Sequence, residues 1–208
     1  MLPTVCNMPD LRAECRPLLP TLSLVVLFFE DPDKQFGLLR RAIVHWLDKA
    51  ILEFHEAREA LLAQIAEMKR PPEEMMRTGR IVYMHDFAHC MEHCLTLTRR
   101  LLRALDKLKG MPLAQIDRTT RGYLAAQANE LVAARDVVEH LTEIALGSEW
   151  PEHGSLFPRL TDDETGIEVG GNVVSFAQLA STLRRFHAIA QRLVDTESGL
   201  PEPGAKQT

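Results

Sequence analysis

Apolar residues recur at helical spacing over most of the chain, and the clearest register lies between Thr119 and Gly147. At about 100° per residue, Leu124, Leu131, Ala134, Val138, Leu141 and Ala145 fall on one narrow stripe, the core face of an amphipathic helix. Thr119 or Thr120 can cap its start, and Gly147 ends it. A second, weaker stripe of Ala133, Val137 and Ile144 runs on a side of this helix that the first does not use. Small and apolar residues there let helices approach closely, so the pattern predicts a homodimer interface.

Upstream, Leu39, Ile43, Leu47, Ala50, Ile51, Phe54, Leu61, Ile65 and Met68 predict a helix from about Phe36 to Lys69, stopped by Pro71-Pro72. Glu73 and Glu74 then suit the first turn of the next helix. That helix continues to Lys109 with a break near Gly79, and its core face is Met84, Phe87, Met91, Cys94, Leu95, Leu101, Leu102 and Leu105. Trp46 and the methionines of this second helix read as core. Residues 148–164 read as a polar loop. The β-branched residues around Gly170-Gly171-Asn172 predict a hairpin over 167–176, since these three tolerate positive φ. A last helix runs from about Phe176 to Val194.

These elements predict an all-α fold, an antiparallel four-helix bundle of long helices with one small β-hairpin insertion before the last helix. The helical bundle domain spans 35–196. It follows a poorly defined N-terminal arm over 1–34 and precedes a disordered tail over 197–208. Within the arm, Leu18–Phe29 is apolar but only twelve residues long, too short to span a bilayer. It reads as a strand or a buried extended arm, unless the start codon lies downstream and the stretch has no structural role.

Composition fits a soluble globular protein, with 46% apolar and 25% charged residues. The net charge of −5 argues against indiscriminate binding to nucleic acid or anionic membrane. Its distribution changes the picture, because residues 77–121 hold nine Lys or Arg against four acids and carry +5, leaving −10 on the remainder. Four cysteines without CxxC spacing, and an N-terminus without a secretory signal, predict a cytoplasmic protein with reduced thiols. Partners expected from these features exclude the membrane.

Two constellations carry candidate chemistry. In HDFAHCMEHC, His85, His89 and His93 sit at i, i+4 and i+8, which invites a metal reading. The helical projection instead puts all three opposite the core face, in line with Arg100, Arg103 and Lys107. That stripe fits a phosphate-facing surface better than a four-ligand site, and a merely solvated face best of all, so no metal and no cofactor are expected. Cys94 points inward and Cys90 lies at the border of the core, which predicts inert thiols.

The second constellation is RDVVEH, Arg135 to His140. The chain has three R-x4-H spacings, Arg40/His45, Arg80/His85 and Arg135/His140, and only the last follows its Arg with a polar residue late in the chain. Asp136 and His140 lie one turn apart, where carboxylate and imidazole can meet. This stretch resembles the R-x4-6-H signature of the HEPN superfamily, helical bundles that commonly dimerise so that two motifs form one composite site. The resemblance implies a metal-independent endoribonuclease with Arg135, His140 and Asp136 as its catalytic residues. His140 would move the proton of the ribose 2′-hydroxyl or of the leaving oxygen. Arg135 would hold the scissile phosphate, and Asp136 would orient the imidazole. RNA is then the expected partner. A different outcome is a non-catalytic interaction module of a toxin–antitoxin or defence system, with an antitoxin or regulatory protein as partner. A third, from another class, is a metal-binding helical bundle.

Overall fold

Asp33 starts the longest helix of the described residues, which are 2–28, 33–79, 81–108, 116–139 and 157–195 of a computed structural model. Its carboxylate accepts the amides of Gln35 and Phe36 at 2.7 and 3.3 Å, as an N-cap does. Helix α2 (Lys34–Met68) then runs to the Pro71-Pro72 pair. Pro72 opens the short α3 (Pro72–Thr78), with Glu73 and Glu74 in its first turn and Gly79 at φ +78° ending it. Helix α4 (Met84–Leu108) returns along α2, so the expected break falls between α3 and α4.

The turn between them is held from α2. Gln64 accepts the Tyr83 amide at 2.8 Å, and Glu67 accepts the Ile81 amide at 3.1 Å while pairing with Arg70 at 2.8 Å. Together with the Glu53–His93 contact, these pairings show that α2 and α4 are antiparallel. The expected core face of α4 is buried apart from Met84, which is half-buried. Met76 departs from expectation at 88% exposure, and Met75 is half-exposed, because α3 buries no residue.

Helix α5 (Arg118–Glu139) is capped by Asp117, whose carboxylate accepts the Thr120 amide at 2.7 Å, rather than by Thr119 or Thr120. Leu124, Leu131 and Ala134 are fully buried, as the stripe predicts. The last helix, α6 (Phe176–Asp195), starts where Ser175 accepts the Gln178 amide, and buries Leu179, Leu183, Phe186, Ile189, Ala190 and Leu193.

Two features correct the four-helix expectation. First, Leu18–Phe29 is not extended: Leu19–Phe28 forms a helix, α1. An apolar segment with no partner strand satisfies its own backbone groups as a helix, and Pro20 in the first turn removes no intrahelical bond. Asp48 of α2 accepts the amides of Leu18 and Leu19 at 2.9 and 2.7 Å, supplying the missing cap. Leu22 is buried, and Val25 and Val26 pack on the core from the same face. The segment therefore has a structural role.

Second, the hairpin is part of a three-stranded antiparallel sheet, β1 (Arg159–Leu160), β2 (Gly166–Val169) and β3 (Asn172–Ser175), in that order. Residues 159–160 thus leave the polar-loop assignment. Leu160, Ile167 and Val174 align across the register and are buried, whereas Val173 faces outward. Gly170 and Gly171 have φ of +54° and +77°, the two positive values of a type I′ turn.

The N-terminal arm is latched to this sheet. Glu164, itself at φ +58°, accepts the Thr4 hydroxyl at 2.7 Å, the Val5 amide at 2.7 Å and the Thr4 amide at 3.0 Å. Met8 and Leu11 of the arm enter the same core as α2 and α6. The molecule is thus mostly helical, with six helices and one small sheet among the described residues. None of these helices is long and apolar enough to cross a membrane. The expected tail over 197–208 lies outside the described residues.

Candidate functional site

The +5 segment and the RDVVEH stretch meet where α4 packs on α5. These helices run antiparallel, so Arg99 near the middle of α4 comes level with Asp136 near the end of α5 and forms an ion pair with it. The Arg135 guanidinium lies 3.3 Å from the same carboxylate oxygen. One carboxylate therefore holds two guanidinium groups, one from each helix.

Burial separates these groups by role. Arg135 is only 6% exposed, whereas the Asp136 side chain keeps 41% of its surface. Burial pulls the Arg135 guanidinium below its ordinary pKa, and the positive charges of Arg99, Arg103 and Arg100 pull in the same direction. Arg99 is lowered likewise, first by burial and then by Arg103. A cluster of like charges that depress one another is an electrostatic environment that favours an anion.

Next to this cluster lies a cleft of about 240 Å³, lined by Arg99, Leu102, Arg103, Leu105 and Asp106 of α4 and by Arg121, Leu124, Ala125 and Val132 of α5. Three arginines and one aspartate thus line a groove between two helices, with Leu102, Leu105, Leu124, Ala125 and Val132 as its apolar lining. Arg103 is exposed and Arg121 half-exposed, so both can reach a ligand without breaking the Arg99–Asp136 pair.

The other predicted residues are distributed as follows. His85, His89, Arg100, Arg103 and Lys107 are exposed along α4, and His93 is half-exposed. From His85 to Lys107 this face runs for about 33 Å at 1.5 Å per residue. The rings of His89 and His93 are tilted together with centroids 4.2 Å apart, and His93 Nδ1 lies 3.6 Å from Glu53. Among the described residues, no group of three or more His, Cys, Asp or Glu is placed to hold a metal ion. Burial pushes the Cys94 thiol up to about 12. It pushes Cys90 up to about 11, with Glu53 adding to the shift.

Only part of the RDVVEH motif lies among the described residues. Asp136 faces Arg99 and Arg135, while His140 lies outside the described residues. In the proposed dimer patch, Val137 packs on the core of its own chain and closely faces Gly170 at the hairpin turn. Val137 is therefore met from within the subunit. Ala133 is half-buried, and Ile144 lies outside the described residues.

Arg99 and Arg121 are the site residues that sequence reasoning missed. Their signal was the basic segment itself, but the pairing of Arg99 with Asp136, 37 positions later in the chain, has no local pattern. No protein-family model, no curated protein and no solved structure matches this chain.

Proposed function

We propose that this chain is an RNA-binding helical module, HEPN-like in its RDVVEH stretch, that grips the phosphate backbone through the arginines between α4 and α5. The observation that supports it is the crowding of guanidinium groups there: Arg99 and Arg135 meet at the Asp136 carboxylate, and Arg99 and Arg103 line the adjoining cleft with Arg121. Arg103 and Arg121 are the side chains presented to a ligand, with Arg100 and Lys107 extending the same exposed basic face. Arginine suits phosphate because its planar fork matches two oxygens at once. RNA is the polyanion that the motif resemblance suggests. The chain's overall negative charge restricts contact to this face and disfavours indiscriminate coating of nucleic acid.

Binding is favoured over cleavage. A catalytic Arg135 has to reach a scissile phosphate, yet it is 6% exposed and sits against Asp136. Asp136 in turn is engaged by Arg99. On this reading Arg135 and Asp136 position Arg99 at the cleft and are not themselves the contact.

Fluorescence anisotropy with a labelled single-stranded RNA tests it. Saturable binding is expected at low salt, and Arg103→Ala with Arg121→Ala should weaken it while the helical circular dichroism stays unchanged. Wild-type binding no tighter than that of the double variant would overturn the proposal. Incubating the same RNA with EDTA present should leave it intact. EDTA-resistant cleavage that His140→Ala abolishes would instead favour the endoribonuclease reading.

A further inference from the structure

A second cleft, of about 290 Å³, lies between α2 and α4. It shares no lining residue with the arginine cleft against α5. His45, Trp46 and Lys49 line it from α2, and His93, Thr96, Leu97 and Arg100 from α4. The sequence places both sets on single faces: 45 and 49 are one turn apart, and 93, 96, 97 and 100 follow the i, i+3, i+4, i+7 pattern.

The antiparallel register brings these faces together. Glu53 meets His93 and Gln64 meets Tyr83, so moving toward the start of α2 from Glu53 moves toward the end of α4. Lys49 therefore comes level with Thr96 and Leu97, and His45 and Trp46 with Arg100. The inner wall is apolar and flat-sided, made by buried Leu97 and by Trp46, which packs half-buried on the core. The mouth is basic: Lys49, Arg100 and His45 are exposed, and His93 is half-exposed. No carboxylate lines the cleft itself, although Glu53 contacts His93 at its edge.

We propose that this cleft binds a small phosphate monoester carrying a flat aromatic ring, with a nucleoside monophosphate as the size that fills it. The ring lies along Trp46 and Leu97, where base-on-indole stacking is sequence-tolerant and favourable. The phosphate sits at the mouth between Lys49 and Arg100, which supply a point charge and a fork. His45 and His93 flank it and can donate hydrogen bonds to its oxygens. The volume is at the lower end of small-molecule sites, roughly 300–1,000 Å³, which is room for one nucleotide. This inference does not depend on the arginine cleft binding RNA.

The test uses the full chain in a Trp150→Phe background, which leaves Trp46 as its only indole. AMP and phenyl phosphate should quench its fluorescence saturably. Adenosine and inorganic phosphate, which each lack one half of the ligand, should bind at least about tenfold more weakly. Lys49→Ala and Arg100→Ala should each weaken AMP by about tenfold, the loss of one charge-assisted hydrogen bond. Arg121→Ala, in the other cleft, should leave it unchanged. Calorimetry on Trp46→Phe should show AMP bound more weakly, which separates stacking from a mere optical effect. Several results would overturn the proposal: no saturable quenching by AMP or phenyl phosphate, binding unaltered in the Lys49→Ala/Arg100→Ala double variant, or inorganic phosphate binding as tightly as AMP. Tighter binding of a single-stranded RNA than of AMP, lost in Lys49→Ala and kept in Arg103→Ala/Arg121→Ala, would place the ligand in a strand and overturn the small-molecule assignment.

Discussion

Adding one methyl group at Gly170 should unseat the hairpin from α5, and the structure sets the size of the effect. Gly170 has φ +54°, a conformation that costs an L-residue about 1–2 kcal/mol. A Cβ built there would stand 2.6 and 2.8 Å from Val137 Cγ2 and Cγ1, and 3.2 Å from Val137 Cβ. Ordinary carbon contacts are about 3.5–4.0 Å, so the overlap with the two methyls is close to 1 Å. Overpacking of that kind costs about 1–3 kcal/mol, giving Gly170→Ala a total loss of roughly 2–5 kcal/mol. Val137→Ala removes both offending methyls. Alone it should cost about 1 kcal/mol, since the side chain is only partly buried. In the double variant the backbone cost remains but most of the overlap is gone. The two changes should therefore be non-additive, with about 1–3 kcal/mol of rescue. Urea unfolding followed by circular dichroism at unchanged m-value measures this cycle. Additivity within about 0.5 kcal/mol would refute the packing of the turn onto Val137. That result would also remove the seat of the β2–β3 turn against the end of α5, where Arg135 and Asp136 stand.

Three further outcomes follow from the same contacts. Burial acts to raise the Glu164 pKa, but the hydrogen bonds from the Thr4 hydroxyl and the Val5 and Thr4 amides outweigh it, and the carboxyl sits below its ordinary 4.5. Its contribution is therefore fully present above that value and lost as pH falls through the folded pKa. Protection of the Thr4 and Val5 amides, taken relative to the intrinsic exchange rate at each pH, should fall on acidification, and Glu164→Gln should show low protection already at neutral pH. Equal protection of these amides in Glu164→Gln would contradict the latch. Cys90, pushed up to about 11 from 9.0, carries roughly a hundredfold less thiolate than an ordinary cysteine. Together with Cys94 it should resist iodoacetamide in the native state and react in urea, and rapid native labelling of the buried Cys94 or of the half-buried Cys90 at neutral pH would contradict the raised thiols. Asp48→Ala removes the acceptor for the Leu18 and Leu19 amides and should cost about 0.5–2 kcal/mol. The loss should appear as faster exchange across α1, and unaltered exchange there would argue against the cap.

The helices α2, α4 and α6 were legible because an amphipathic helix writes its burial into a local period, and Pro71-Pro72 and Gly79 mark their breaks. The β2–β3 turn was legible for a similar reason, since only a few residue types accept the positive φ of Gly170 and Gly171. Helix α1 was not, because a uniformly apolar run has no period to read and the Asp48 carboxylate that caps it lies about 30 residues away. Strand β1 is two residues long, too short for alternation to register. The candidate site was half visible. Arg100, Arg103 and Lys107 declared themselves as an exposed stripe on one helix. The Arg99–Asp136 pair and the Val137–Gly170 contact depend on which helix packs where, whereas spacing within α5 points only to Asp136 with His140, which lies outside the described residues.

The salt dependence of RNA binding tests the central claim most directly. If Arg103 and Arg121 contact phosphates from the cleft between α4 and α5, the slope of log K against log salt concentration should shrink by about 0.7 for each one replaced by alanine on single-stranded RNA. The Arg103→Ala/Arg121→Ala variant should then lose about 1.4 from the wild-type slope, while Arg159→Ala, on the sheet, leaves it unchanged. A wild-type slope retained in full by the double variant would contradict the account.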